Sequence, residues 1–239
     1  MDWNAYNDCN NIDNEGIVRL TQLEELLIDR NSNITNLNHM VNLLELHNNN
    51  CNIDDGGISK LTHLNTLSVI NNTRITNLNH MTNLKTLHMA RCNIDDEGIR
   101  NLTQLEVLKV DHNDNITNIE HMTKLKVVDL DFNKITVGSC LLLIKFGLHI
   151  KECYYRLGNY YKNDKNYEEA ISYFKLAFDS GYNKGNCLFW IAECYRMTNN
   201  FDEAIKYLKY ASQNNYDKDN RVLLIAECMK MKQNNISRQ

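Results

Sequence analysis

From Leu20 to Asn133, apolar side chains recur on one template, L-x-x-L-x-x-L-x-L-x-x-N/C, six times in succession. The fourth template position is Leu23, Leu43, Leu64, Leu84, Leu105 and Leu125, with spacings that alternate between 20 and 21 residues. The next rung is Leu26, Leu46, Leu67, Leu87, Leu108 and Val128, and each copy closes on Asn31, Cys51, Asn72, Cys92, Asn113 or Asn133. The x-L-x-L-x alternation inside each copy has the period of a strand with one buried face. Repetition at a fixed short period predicts stacked turns, each offering one strand to a shared parallel sheet and burying its leucines only against its neighbours.

The alternation of repeat length follows the segments between strands. ITNLNHM (34–40), ITNLNHM (75–81) and ITNIEHM (116–122) are the short returns; IDDGGISKL (53–61) and IDDEGIRNL (94–102) are longer, and IDNEGIVRL (12–20) implies a truncated repeat before residue 20. Gly16, Gly57 and Gly98 are expected to allow a tight entry into a short helical turn on the convex side. The Asn/Cys row is expected inside the turn, where an asparagine amide satisfies the backbone of adjacent turns. Asn48 stands where Ile28, Val69, Met89, Val110 and Leu130 supply apolar side chains, so local irregularity is expected there. This array, about residues 10–136, resembles the leucine-rich repeat family.

From about Gly138 the period changes to 34. CYYRLGNYYKNDKNYEEAISYFKLAFDSGY (153–182) is followed by CLFWIAECYRMTNNFDEAIKYLKYASQNNY (187–216). Tyr154, Leu157, Gly158, Tyr161, Ala170 and Phe174 match Leu188, Ile191, Ala192, Tyr195, Ala204 and Leu208, and Val222, Ile225, Ala226 and Met229 begin a third copy. The small residues mark where paired helices approach closely, with large ones filling the gaps. Residues of about 139–232 resemble the tetratricopeptide repeat. The proline that family usually carries after its second helix is absent; Tyr182 and Tyr216 stand there, after Gly181 and Asn215, which suit helix C-caps. Ser139 is expected to N-cap a helix through Leu141–Phe146. Since Gly147 and Cys153 match Gly181 and Cys187, that helix is expected to close the sheet, begin the helical stack and join the two arrays rigidly. The fold class expected is an α/β leucine-rich-repeat solenoid over 1–136, with short parallel strands on the concave face. An all-α tetratricopeptide-like solenoid over 137–239 follows it.

Composition refines this picture. The chain has no proline and 9 glycines among 239 residues, while about one residue in six is asparagine. Proline-rich and collagen-like readings are excluded, and the surplus of asparagine beyond the rung suggests coding by an AT-rich genome. Six of the eight cysteines pair off at repeat-equivalent positions (Cys51 with Cys92, Cys153 with Cys187, Cys194 with Cys228), too far apart in a stack to bridge, and no C-x-x-C pair occurs. Reduced structural thiols in a cytoplasmic protein are expected, because the N-terminus shows no signal peptide and no apolar run approaches a membrane span. Lys and Arg number 11 against 19 Asp and Glu in residues 1–136, a net −8; the rest carries 15 against 11, a net +4. That balance argues against nucleic acid or an anionic membrane as a partner.

The candidate chemistry is thin. His39, His80 and His121 recur at every second repeat, too dispersed for one metal and expected to be turn residues. Asp54-Asp55 and Asp95-Asp96-Glu97 fall on convex turns without a partner base and read as solvated. No phosphate-binding glycine loop, nucleophile elbow or H-E-x-x-H motif occurs, and the tyrosines follow helical spacing expected of a core. No enzyme activity, cofactor or metal is implied.

Surfaces remain. The residues flanking the buried strand positions form rows: Leu27, His47, Ser68, His88, Lys109, Asp129; and Asp29, Asn49, Ile70, Ala90, Asp111, Asp131. Beside them run Arg30, Asn50, Asn71, Arg91, His112 and Phe132. His88, Arg91, Lys109, Asp111, His112, Asp131 and Phe132 concentrate arginine, aromatic and charged groups, as protein-binding hot spots do. In the helical array the groove is expected to be lined by Tyr155, Asn159, Lys162, Phe189, Glu193, Arg196 and Lys230, with Leu223 and Glu227. This is not the set that the family uses to grip acidic peptide C-termini, and an amphipathic helix or extended peptide is the better fit. The last helix, 219–232, has no following partner and offers a homodimer seam. Both resemblances imply protein binding. The expected function is a non-enzymatic interaction scaffold, with a regulatory or substrate-targeting subunit of a ubiquitin ligase or phosphatase as the alternative.

Overall fold

The computed structural model describes residues 12–214 and 218–236. Its contacts divide the chain into two compact units that meet between Leu142 and Leu143.

In the first unit, six parallel strands form one sheet in sequence order: β1 (Glu25–Leu27), β2 (Glu45–His47), β3 (Thr66–Ile70), β4 (Thr86–Ala90), β5 (Val107–Asp111) and β6 (Val127–Asp129). The register pairs Leu26, Leu46, Leu67, Leu87, Leu108 and Val128 across successive strands, the rung predicted from the template. From Leu46 to Leu108 that rung is wholly buried. Short helices α1 (Asn14–Ile17), α2 (Asp55–Ile58) and α3 (Asp96–Ile99) lie in the longer returns.

The closing row is a hydrogen-bond ladder. Asn31, Asn72 and Asn113 donate through Nδ2 to the carbonyls of Ile12, Ile53 and Ile94, at 2.9, 2.9 and 3.0 Å. Their Oδ1 atoms accept from backbone N–H groups two residues on, closing their own turns. The buried Cys51 thiol takes the same place with a bond to the Ile28 carbonyl, and Cys92 accepts from Asn113. Asn133 departs from the row. It is exposed and bonds Asp131 instead.

Gly57 and Gly98 have a reason other than turn freedom, since neither has positive φ. A Cβ at either would stand far inside van der Waals contact with a carbonyl oxygen of the preceding turn, Thr35 for Gly57 and Thr76 for Gly98. Gly16 meets no such backbone; the nearest atom is the Ile12 side chain at 3.3 Å. The aspartates read as solvated turns are ties. Asp54 and Asp95 N-cap α2 and α3 by accepting from Gly57 N and Gly98 N. Asp55 accepts from Thr76 N, Thr76 Oγ1 and Asn77 N, and Asp96 binds Thr117 and Asn118 the same way. His39, His80 and His121 donate through Nε2 to Ile17, Ile58 and Ile99 carbonyls, one repeat back.

α4 (Val137–Lys145) follows β6. Its cap is Thr136, whose Oγ1 accepts from Ser139 N at 3.0 Å, and not Ser139 as expected. Ser139 lies inside the helix, fully buried, and its Oγ accepts from Ile119 N.

In the second unit, α5 (Ile150–Asn163), α6 (Tyr167–Asp179), α7 (Lys184–Met197), α8 (Phe201–Gln213) and α9 (Lys218–Ile236) pack each on the next. Gly158 sits 2.6 Å, in Cβ terms, from the Phe174 ring, which is the close approach its spacing predicted. The ends of α5, α6 and α7 share one device with that of α4, where Gly147 has φ of 74° and the Leu148 N–H bonds the Leu143 carbonyl at 2.9 Å. Lys165, Gly181 and Asn199 adopt φ of 61°, 82° and 59°. The next residue's N–H then reaches back to the carbonyl of Tyr161, Ala177 or Tyr195 at 2.9 Å, a Schellman closure. Tyr182 is the closing residue after α6, and its ring stacks on Tyr155 at 4.5 Å. A tyrosine therefore supplies a covering contact where the family's proline would only stop the helix. Asn215 and Tyr216 lie outside the described residues.

Candidate functional site

On the sheet, the row His47, Ser68, His88, Lys109, Asp129 is in register across β2–β6, as the template predicted. Neighbouring side chains in it are therefore about 4.8 Å apart along the sheet. Ser68 is buried at its centre, and its Oγ donates to Asn49 Oδ1, which also accepts from Ile70 N. His47 Nε2 lies 2.8 Å from Glu45 Oε1. His88 is half-buried; desolvation first, then the charges of Lys109 and His47, push its pKa below the ordinary histidine value. The lowered value favours the neutral imidazole, and the Lys109 side chain beside it is exposed.

The remaining sheet candidates divide by position. Asp111 ends β5 opposite Ala90 and is exposed, with His112 Nε2 3.5 Å from its carboxylate. Arg91 and His112 are not strand residues. They stand one position beyond, in left-handed conformation with φ of 47° and 49°, as do Arg30, Asn50 and Asn71 at 62°, 57° and 54°. None of the five is glycine, so each turn leaves its strand through a conformation that a side chain disfavours. This aims an exposed row of arginine, asparagine and histidine along the strand exits. Asp131 and Phe132 lie in the turn after β6. The exposed Asp131 carboxylate accepts through Oδ1 from Asn133 N and Nδ2 at 2.9 and 3.0 Å. The structure thus brings His88, Lys109 and Asp111 onto one face with Arg91 and His112 at its rim, and places Asp131 and Phe132 in the turn that follows β6.

In the helical unit, five candidates expected to line an open groove, Tyr155, Asn159, Lys162, Glu193 and Arg196, have partners within the unit. The Tyr155 hydroxyl accepts from Trp190 Nε1 at 2.9 Å, its ring meets Phe174 edge-on at 5.6 Å, and burial raises its pKa. Trp190 packs against Phe189 and carries the Lys162 ammonium 3.5 Å over its ring. Desolvation lowers the Lys162 pKa, and among the described residues no carboxylate lies within ion-pair distance of it. Glu193 is taken by Arg196, with a two-pronged pair at 2.8 and 3.0 Å that is only slightly exposed. Asn159 donates to the Tyr155 carbonyl. Lys230 is exposed on α9, where Leu223, Met229 and Met231 are exposed too, while Leu224 and Ile225 pack toward α8. Sequence reasoning missed the Tyr155–Trp190–Lys162 stack, although Trp190 adjoining Phe189 was a signal that one ring turns inward.

A six-stranded parallel solenoid followed by helical pairs defines a tandem-repeat protein. Family models agree: the leucine-rich repeat model matches residues 80–103, and tetratricopeptide repeat models match 151–180 and 186–215. The chain carries leucine-rich repeats followed by tetratricopeptide repeats. A search of curated proteins finds no match. Among solved structures, the functional domain of InlJ from Listeria monocytogenes, described as including a cysteine ladder, is similar at 22% identity and a TM-score of 0.40. That likeness covers 50% of this chain, which spans only 29% of the other's length. Among the described residues no group of three or more His, Cys, Asp or Glu is placed to hold a metal ion, and no helix is long and apolar enough to cross a membrane.

Proposed function

We propose that this protein is a non-enzymatic interaction scaffold that binds a protein partner on the concave face of its leucine-rich sheet. Repeat domains of both types typically serve as protein-interaction modules, and neither is a catalytic family. The observation that carries the reading is the exposed rim of left-handed residues. Arg91 and His112 are held in strained backbone and aimed outward beside Lys109 and Asp111, where glycine would relieve the strain. The conformation recurs in five successive turns and lines these side chains up as one exposed row beside the sheet face. The half-buried Lys162 ammonium on Trp190 favours an acidic or amphipathic peptide as a second ligand, in the helical groove.

The test is affinity purification from the native cell followed by mass spectrometry, comparing the natural protein with Arg91→Glu combined with Phe132→Ala. Arg91 is exposed and Phe132 half-buried in a turn, so the thermal midpoint is expected to fall by no more than several degrees while capture of the partner is lost. Full capture by that folded double variant would remove the concave face as the binding surface. Recovery of a ligase or phosphatase core by the natural protein would make the scaffold a targeting subunit.

A further inference from the structure

Asn48 is the one inward position of the sheet that breaks the apolar row, and its backbone shows no irregularity. Its N–H donates to the Ser68 carbonyl at 2.9 Å, continuing the ladder between β2 and β3. The irregularity lies in the side chain. Asn48 is fully buried, and neither Oδ1 nor Nδ2 has a hydrogen-bond partner among the described residues. The template puts Ile28 and Val69 at the same place in the adjoining turns, and neither can offer a polar atom. An amide sealed in this way weakens the closed state, because water would satisfy both atoms as soon as the turn opened.

A further observation puts the weakness at this end of the sheet. Strands β1 and β2 have three residues each against five in β3, β4 and β5, but β6 at the other end also has three, so strand length alone does not single it out. The first described turn is the less buried one. Ile12 and Leu20 are 37% and 42% exposed, where Ile53, Ile94, Leu61 and Leu102 are at most 1% exposed. Leu23 and Leu26 are half-buried, where Leu43, Leu46, Leu64 and Leu67 are wholly buried. In a linear array each turn is held only by its neighbours, so a weak interface separates what lies on either side of it.

We propose that residues 14–50, from α1 through β2, open from β3 as one unit while β3–β5 stay folded, with Asn48 as the built-in breakpoint. Opening changes the chemistry of the sheet edge. In the closed protein β1 and β2 begin with Glu25 and Glu45, charges that discourage strand addition. The opened form ends at β3, TLSVI, which has no charged residue. The opening is therefore a switch between a guarded edge and an unguarded one.

Native-state hydrogen exchange of the full chain, read by mass spectrometry, tests this against Asn48→Val, a substitution that restores the apolar row. In the natural protein the amides of β1 and β2, with those of Asn48 and Asn50 bonded to Ser68 and Ile70, are expected to exchange together. Their rate should exceed that of β4 and β5 by about 100-fold or more. Asn48→Val should slow the β1 and β2 group by about tenfold or more and leave β4 and β5 nearly unchanged. Three results would overturn the proposal: β2 protected as strongly as β4 and β5, β1 exchanging fast alone while β2 does not, or a β2 rate indifferent to Asn48→Val.

Discussion

In the leucine-rich turns, each repeat is tied to the one before it by polar side chains that reach backbone atoms 19 to 22 residues back. Asn72 reaches the Ile53 carbonyl, His80 the Ile58 carbonyl, and Asp55 receives Thr76 and Asn77. In the helical pairs the ties are rings. Tyr155 stacks on Tyr182, Tyr161 on Tyr173 and Tyr195 on Tyr207, and the Trp190–Tyr155 bond joins α7 to α5. The difference follows from backbone accounting. A short strand and its return leave many N–H and C=O groups to be satisfied between turns, whereas a helix satisfies its own and needs only caps and volume. Polar ladders tolerate little error in register, while ring packing accepts substitution at fixed volume.

One substitution made in both regions breaks the comparison most directly. Gly98→Ala forces a Cβ against the Thr76 backbone and is expected to destabilise by about 3 kcal/mol. Gly158→Ala meets only the Phe174 ring, which can shift, and should lose about 1 kcal/mol. Equal losses in denaturant titrations would mean that the turns are as adaptable as the helices.

Removing one tie of each kind sharpens it. Asn72→Ala strands a buried carbonyl and an N–H and should lose about 2 kcal/mol, while Trp190→Phe keeps the ring and removes one donor, for about 1 kcal/mol. A larger loss for the tryptophan would reverse the assignment of polar and ring ties.

The buried thiols provide a comparison with a pH axis. Burial pushes Cys51 up to about 11, partly offset by backbone N–H groups of Asn31 and Arg30. Cys187 in the helical unit has less compensation and rises to about 12. Both lie above the ordinary thiol value near 9, so their folded forms hold the proton more tightly than the unfolded chain does. The stability they contribute is complete below pH 9 and falls as pH rises toward 11 and 12. Urea midpoints measured from pH 7 to 11 should decline above pH 9, and Cys187→Ala should make the decline shallower. A flat profile would contradict their burial.

An effect no larger than these is expected of Arg91→Gly. Relief of left-handed strain should raise stability by about 1 kcal/mol while weakening partner capture, the opposite signs separating binding from folding at one residue.

Much of this was legible in the residues themselves. Leucines spaced by 20 and 21 determined six parallel strands in register, and small residues spaced by 34 determined the paired helices, because periodicity is a property of the chain and burial follows it. The buried asparagine rung was legible for Asn31, Asn72 and Asn113 for the same reason. It failed at Asn133, whose copy closes the array in an exposed turn rather than in the ladder. What periodicity does not contain is the identity of the atom one repeat away. That Asp55 clamps Thr76, that Gly57 is glycine because a carbonyl passes over it, and that Thr136 rather than Ser139 caps α4 all depend on distances between turns. So does the fate of Tyr155, claimed by Tyr182 and Trp190 before any ligand arrives. The sequence by itself determined which positions face inward; only the tertiary structure decided which polar atoms meet there, and that at Asn48 none do. The physical reason is that burial is set by a residue's place in a repeat, whereas a hydrogen bond needs two groups within about 3 Å.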